Sequence, residues 1–379
     1  MKKALVLGSG MVGSALAIDL AADPGLEVTV ADVRPEALER VAKRARVKAL
    51  EVDLADPAAV KKAVAPFDVV VGALSSHLGF QTLRAVIEAG RSYCDISFMS
   101  ENAWELDDLA RQNGVCAVVD CGVAPGTSNM IAGYAASVLE PCESIEIYVG
   151  GLPVVRSWPF EYKAGFAPQD VIEEYVRPSR VVEHGKLVVK PALSEPELMD
   201  LPGVGTVEAF NTDGLRSLAY TLKAPFMKEK TLRYPGHIGL MRAMRETGLF
   251  SKDLVEVGGA RIRPLDLTSK LLFPKWTYDE GEADLTVMRV IARGTESGRP
   301  VRRVWDLLDY YDPTTKTRSM SRTTAFPAAI VARMIVSGAF RQPGVHPPEV
   351  LGREKGFLDH VLAELQRRGV RFTARVEPG

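Results

Sequence analysis

A six-residue glycine pattern near the start of the chain, Gly8-Ser9-Gly10-Met11-Val12-Gly13, constrains the fold more than any other stretch. Before it stands Lys3-Ala4-Leu5-Val6-Leu7, an apolar run too short for a helix and suited to a buried parallel strand. In a G-x-G-x-x-G at that place, Gly8 permits a tight turn, Gly10 lets backbone approach a pyrophosphate and Gly13 lets helix and strand pack closely. A helix opening near Met11 would point its free N–H groups and positive dipole end at the anion. The next strand, Glu27 to Asp32, ends in a carboxylate 19 residues beyond Gly13, where an acid accepts hydrogen bonds from an adenosine ribose. Asp32 favours NAD, because a 2′-phosphate would meet a fixed negative charge. Arg34 points the other way, since a nearby arginine accommodates NADP.

Strand and helix keep alternating after Asp32. Helices are predicted over 35–43, 58–65, 78–89 and 102–112, and strands over 47–52, 68–72, 92–96 and 115–119. Such alternation implies a doubly wound parallel sheet of the Rossmann type, in which ligands bind beyond the carboxyl ends of the strands. The cofactor positions expected are therefore Gly8, Gly10, Met11, Val12, Gly13, Asp32, Val33, Arg34, Asp53, Leu54, Ala73, Leu74, Ser75 and Asp95. From about Cys142 the pattern changes. Segments 144–149, 180–189, 206–210 and 286–292 read as strands with few helices between them, and Gly185 marks a hairpin. The expectation is an α/β chain. Residues 1–127 form an NAD-binding domain completed by about 321–345, and 128–320 an α+β substrate and dimerisation domain with a mixed or antiparallel sheet. Residues 346–379 pack back on the core, with 343–348 as a turn-rich connector and 354–368 as a closing helix.

Composition removes several classes. Lys+Arg 47 against Asp+Glu 48 leaves no field for nucleic acid or an anionic membrane. The first apolar stretch is too short for a signal peptide or a span, and the four cysteines form no C-x-x-C pair, so a soluble cytoplasmic protein is expected. The five histidines lack H-E-x-x-H spacing, so no metal is predicted. Cys121 has no histidine partner nearby and reads as a packing residue.

Three further blocks carry a likeness. They are Asp120-Cys121-Gly122-Val123-Ala124-Pro125-Gly126 with Gly150-Gly151-Leu152-Pro153, the run 158–163 (WPFEYK), and 208–215 (EAFNTDGL) with 230–237 (KTLRYPGH). With these the chain resembles the saccharopine dehydrogenase-like family over essentially its whole length, and within it the lysine 6-dehydrogenases. Saccharopine reductases usually carry Asp-Pro-Gly where Ala124-Pro125-Gly126 stands here. The resemblance implies NAD-dependent oxidation of the ε-amine of lysine to the semialdehyde, which cyclises to a piperideine carboxylate. It also places Arg233 in the family's carboxylate-binding stretch, and arginine's planar fork suits that task.

Hydride loss needs a neutral amine, and deprotonating one of pKa about 10.4 at neutral pH costs about 4.6 kcal/mol. Asp95 and His77, each just beyond a strand, and His237 in the Tyr-Pro-Gly-His turn are the candidate bases. Any one histidine is more often a structural hydrogen-bonder. Asn211 and Asp213 either orient the amine or fix a turn, and Tyr162 and Lys163 either line the pocket or end a strand. Rival readings are reductive condensation of the saccharopine or carboxynorspermidine kind with NADPH, and a non-catalytic NAD-binding sensor. The expected partners are a small amino-acid substrate and a second copy of the chain, as a homodimer or higher homo-oligomer.

Overall fold

The computed structural model describes residues 1–379. Its first part alternates as the sequence predicts. Strands β1 (Lys2–Leu7), β2 (Leu26–Asp32), β3 (Lys48–Glu51), β4 (Val69–Gly72), β5 (Ser92–Asp95) and β6 (Cys116–Val118) are separated by α1 (Met11–Ala21), α2 (Pro35–Ala42), α3 (Pro57–Val64), α4 (Ser76–Glu88) and α5 (Asp107–Gln112). Local chemistry sets the helix starts. Pro35 and Pro57 occupy first-turn positions where no N–H is needed, and Asp56 caps α3 by accepting from the Ala58 N–H at 2.9 Å. The expected helix over 102–112 opens as a 3-10 turn, Ala103–Leu106, before α5. Helix α6 (Thr127–Val138) follows β6.

The second part is built on β7 (Cys142–Pro153), then α7 (Pro168–Val176), β8 (Ser179–Glu183), β9 (Lys186–Lys190), β10 (Glu197–Leu201) and β11 (Gly205–Asn211). Next come α8 (Leu218–Thr221), β12 (Phe226–Arg233), α9 (His237–Glu246), β13 (Val255–Val257), β14 (Ala260–Ile262), α10 (Pro264–Trp276), β15 (Asp284–Glu296) and β16 (Arg299–Tyr310). Both residues of the β8–β9 turn, His184 and Gly185, have positive φ, as a two-residue hairpin of matching twist requires. Helices are more prominent here than expected. In α9 only Ile238 and Met241 supply a buried apolar stripe, and α10 carries Pro274 near its end, so neither announces itself by periodicity.

The chain closes with α11 (Ser319–Ser337), β17 (Gly344–His346), α12 (Pro348–Arg353), α13 (Phe357–Arg367) and β18 (Phe372–Pro378). Two compact units result: residues 1–134 with 321–370, and 135–320 with 371–379. The first holds a seven-stranded sheet in the order β17-β6-β5-β4-β1-β2-β3, parallel throughout. Its core packs Leu5, Leu7, Val70, Leu83, Tyr93 and Val115. The segment 343–348, expected as a connector, carries β17, which extends this sheet beside β6. Three residues between prolines are too few to show strand alternation.

The second unit's sheet has nine strands, in the path β10-β11-β12-β7-β15-β16-β18 with β8 and β9 off it. It is antiparallel except where β7 and β12 run parallel. Alternation along β12 sends Glu229, Thr231 and Arg233 to one face and Lys228, Lys230 and Leu232 to the other. Tyr162, Tyr175, Phe210, Ile238, Met241 and Trp276 form one buried cluster in this unit.

Candidate functional site

In the first unit, strand order reverses between β1 and β4, the switch point at which parallel sheets bind ligands. Gly8 sits there at φ +97°, and a Cβ on it would lie 2.5 Å from the Ala73 carbonyl oxygen. Gly13 brings α1 against the turn so closely that a Cβ would stand 2.1 Å from the Gly8 carbonyl oxygen. Gly10, by contrast, is exposed, and a Cβ on it would meet nothing within 4 Å, leaving open space above the first turn of α1. That turn carries no acidic side chain. Free N–H groups, a positive helix end and room for an anion fit a pyrophosphate.

Asp32 ends β2 buried. Its Oδ2 accepts from the Ser9 N–H and hydroxyl, both at 2.8 Å. Its Oδ1 accepts from the Arg34 N–H at 3.0 Å and Nε at 3.1 Å. Burial alone would raise this carboxyl, but the bonds from Arg34 and Ser9 outweigh it and hold Asp32 at about 2. The charge is therefore fixed at any working pH.

Other expected cofactor positions divide. Met11, Val33 and Arg34 are exposed around the turn, Val12 is half-buried beside them, and Ala73, Leu74 and Ser75 are half-buried beyond β4. Leu54 instead joins the hydrophobic core, and the exposed Asp53 folds back on the Ala55 N–H at 2.9 Å. Asp95 is 0% exposed, with Oδ1 accepting from the Tyr93 hydroxyl at 3.0 Å and Oδ2 accepting from the Ser97 hydroxyl. Burial pushes it up to about 6 against those bonds. As a candidate base it has the affinity but no open face. His77 is exposed near the start of α4.

In the second unit, Arg233, expected to meet a substrate carboxylate, is 2% exposed and already committed. Its Nη2 donates to Glu174 of α7 at 2.6 Å, Nε to the Tyr175 hydroxyl at 3.2 Å and Nη1 to the Leu232 carbonyl at 3.0 Å. Its guanidinium lies 4.3 Å from the centre of the Tyr162 ring. Burial opposes the charge, but Tyr162, Tyr175 and Glu174 together keep it protonated. A carboxylate could reach this fork only by displacing Glu174.

The candidate base His237 is committed to the same network. Nδ1 lies 2.8 Å from the Phe160 carbonyl, so it carries the proton, and Nε2 accepts from the Tyr175 hydroxyl at 2.9 Å. Burial and the neighbouring Arg233 depress its pKa to about 3. Both nitrogens being used, it has none to offer a substrate. Asp213 is likewise spent, gripped in a two-point ion pair by Arg180 at 2.8 and 2.7 Å. Asn211 donates through Nδ2 to Ser194 and Glu195, while its buried Oδ1 has no partner. Lys163 bonds Glu282 at 2.6 Å. It lines a cavity of about 260 Å³ together with Tyr162, Trp158, Lys275 and Asp279.

Family comparison matches residues 4–118 to the saccharopine dehydrogenase NADP binding domain and residues 122–370 to the saccharopine dehydrogenase C-terminal domain. The chain belongs to the saccharopine dehydrogenase family, and its first unit is a pyridine-nucleotide-binding domain. Among relatives, the mitochondrial alpha-aminoadipic semialdehyde synthase of Bos taurus is 23% identical over 99% of this chain. The chain spans about half of that protein's length, 48%. The saccharopine dehydrogenase [NADP(+), L-glutamate-forming] of Saccharomyces cerevisiae is 23% identical, over 92% of this chain and 94% of its own. The carboxyaminopropylagmatine dehydrogenase of Synechocystis is 21% identical, over 98% and 96%. The apo structure of the Saccharomyces cerevisiae saccharopine dehydrogenase matches the fold over the whole of both chains at a TM-score of 0.80 and 20% identity.

Proposed function

We propose that this chain is an NAD-dependent dehydrogenase that oxidises the ε-amine of L-lysine to the 6-semialdehyde. The observation that carries the cofactor half is Asp32. An ionised carboxylate at the end of β2 accepts from ribose hydroxyls once the exposed Arg34 side chain, which now pairs with both of its oxygens, moves aside, and it disfavours a 2′-phosphate; NAD also suits the oxidising direction. The turn Gly8–Gly13, the start of α1 and Asp32 would hold the dinucleotide, which supplies the hydride acceptor when bound. Gly10 leaves its pyrophosphate room, and Ser9 fixes the Asp32 carboxylate in place for the ribose.

The substrate half rests on the family resemblance and on two arginines, one buried and one half-buried, that are already occupied. Arg233 and Arg180 are each tied to an acid. With those two arginines occupied, a substrate with one carboxylate is the better fit than saccharopine with three. No histidine or aspartate expected as the base is both open and unpaired except His77, so the neutral amine comes chiefly from alkaline solution, at a cost of about 4.6 kcal/mol at neutral pH. A second reading, NADPH-dependent reductive condensation, is favoured by the Arg34 guanidinium beside Asp32, and its cofactor agrees with the NADP(+) in the name of the Saccharomyces cerevisiae relative. A homodimer belongs to the same proposal. Strand β18 forms an edge of its sheet with Val376 exposed, and an open edge pairs readily with a second copy.

Initial rates of NAD and NADP reduction with L-lysine, saccharopine and ornithine, at neutral pH and about three pH units higher, test the reading. NADH formation from lysine that rises with pH supports it. NADPH consumption with a semialdehyde and an amino acid replaces it with the condensing reaction, and light scattering that returns the mass of one chain removes the dimer.

A further inference from the structure

Three donors in the second unit lack any acceptor, and they lie in one neighbourhood. The Tyr278 hydroxyl is buried at 7% exposure and unpartnered, as are Nε1 of Trp276, at 0%, and Nε of Arg318. Arg318 spends one other nitrogen, Nη2, on the Asp279 carbonyl at 2.9 Å. Its guanidinium lies 4.9 Å from the centre of the Tyr278 ring, and the Lys163 ammonium lies 5.9 Å from the same centre. Trp276 packs edge-on against Tyr162 at 5.3 Å. Lys163, Tyr162 and Asp279 also border the cavity described above. Folded proteins seldom leave buried donors orphaned, and several orphans of one kind together indicate a missing acceptor.

The charges around these donors are accounted for. Glu282 bonds Lys163, and Asp284 accepts from the Ser319 and Met320 N–H groups at 2.7 and 3.0 Å, where it caps α11. Burial raises the Tyr278 pKa, so its hydroxyl keeps its proton and remains a donor. Arg318 is half-buried and always charged.

We infer that Tyr278, Arg318 and Lys163 form the binding station for the carboxylate of the amino-acid substrate, the place that Arg233, saturated by Glu174, does not fill. This rests on the amine-oxidising reading above and assigns that reading its anion-binding residues. Arg318 supplies charge and Nε–H, Tyr278 a hydroxyl donor, and Lys163 an ammonium that gives one hydrogen to Glu282 and keeps the others for the carboxylate.

Three amines separate the station from general damage. L-Lysine and 6-aminohexanoate carry the carboxylate and cadaverine lacks it. In the NAD-loaded enzyme, Arg318→Met and Tyr278→Phe should each lower the lysine-to-cadaverine ratio of kcat/KM about tenfold or more, as losing one charge-assisted hydrogen bond does. The rate with 6-aminohexanoate should fall alongside that with lysine. Tyr278→Phe should leave the urea midpoint of the ligand-free protein unchanged or higher, because the hydroxyl it removes bonds nothing there. An unchanged ratio in both variants overturns the station. If the wild-type enzyme oxidises no amine, the lysine reading falls by itself, and calorimetric binding of 6-aminohexanoate then decides. Binding lost in Arg318→Met sustains the station, and binding absent from the wild type or intact in that variant overturns it.

Discussion

Glu229 is a buried acid that stores a pH-dependent penalty. It sits on β12 at 3% exposure, and its Oε2 accepts from the Thr212 hydroxyl at 2.5 Å and the Gly214 N–H at 3.0 Å. Gly214 has to be a glycine for this, since a Cβ there would lie 2.4 Å from the carboxyl carbon. Burial pushes Glu229 up to about 8 from an ordinary 4.5, with Glu174 and Asp213 adding repulsion against its two hydrogen bonds. Below the ordinary value both folded and unfolded chains hold the proton, and the group costs nothing. As pH rises the unfolded chain ionises first, so stability falls until the folded carboxyl ionises near 8, and it is flat above. The full loss is about 5 kcal/mol, an upper bound because local opening hydrates the group.

Glu229→Gln keeps an oxygen for Thr212 and Gly214 and removes the titration. Its stability relative to the wild type should therefore climb by at least about 2 kcal/mol between about pH 5 and about pH 8.5. Urea unfolding of both proteins at the two pH values measures this directly. A difference that is the same at both would refute the assignment of Glu229 as a neutral carboxyl.

The remaining predictions concern the other charged groups. Arg233→Met alone should destabilise by about 3–5 kcal/mol, because Glu174 is left buried without its partner, and adding Glu174→Leu should recover most of that in a double-mutant cycle. The double variant should still prefer lysine to cadaverine. Acid denaturation should carry a contribution from His237, which folds neutral. Below about pH 6.5 it costs about 1.4 kcal/mol per pH unit until the folded ring protonates near 3, and His237→Gln should flatten that slope in urea titrations. Asp32→Ser should lower the NAD-over-NADP preference in kcat/KM by about tenfold to a hundredfold, the worth of a charged hydrogen bond to ribose plus the repulsion of a phosphate.

The nucleotide turn was legible in the sequence because everything that makes it lies within one contiguous strand–turn–helix–strand unit. Gly8, Gly10, Gly13 and Asp32 act through backbone conformation and position along the chain, which spacing encodes. Arg233 was not legible in the same way. Its partner Glu174 lies 59 residues away and meets it only when α7 folds onto β12. An arginine offered to a ligand and one already paired look identical in one dimension. The same holds for His237, whose two partners come from residues 62 and 77 positions earlier. Tyr278 and Arg318, forty residues apart, gave no local signal at all. Strand β18 did carry one, since Phe372-Thr373-Ala374-Arg375-Val376 alternates, but a chain's last residues are easily read as tail.

Strand β17 has a consequence for how the protein is made. It seals the outer side of β6, yet more than two hundred residues separate Val118 from Gly344. At ordinary elongation rates, roughly ten to fifty seconds pass on the ribosome before that covering strand emerges. Throughout this interval the nascent nucleotide domain shows a bare strand edge, open to mispairing with other chains. Once Gly344–His346 emerge, the open edge passes from β6 to β17, a three-residue strand framed by Pro343 and Pro347, which cannot donate to a further ladder.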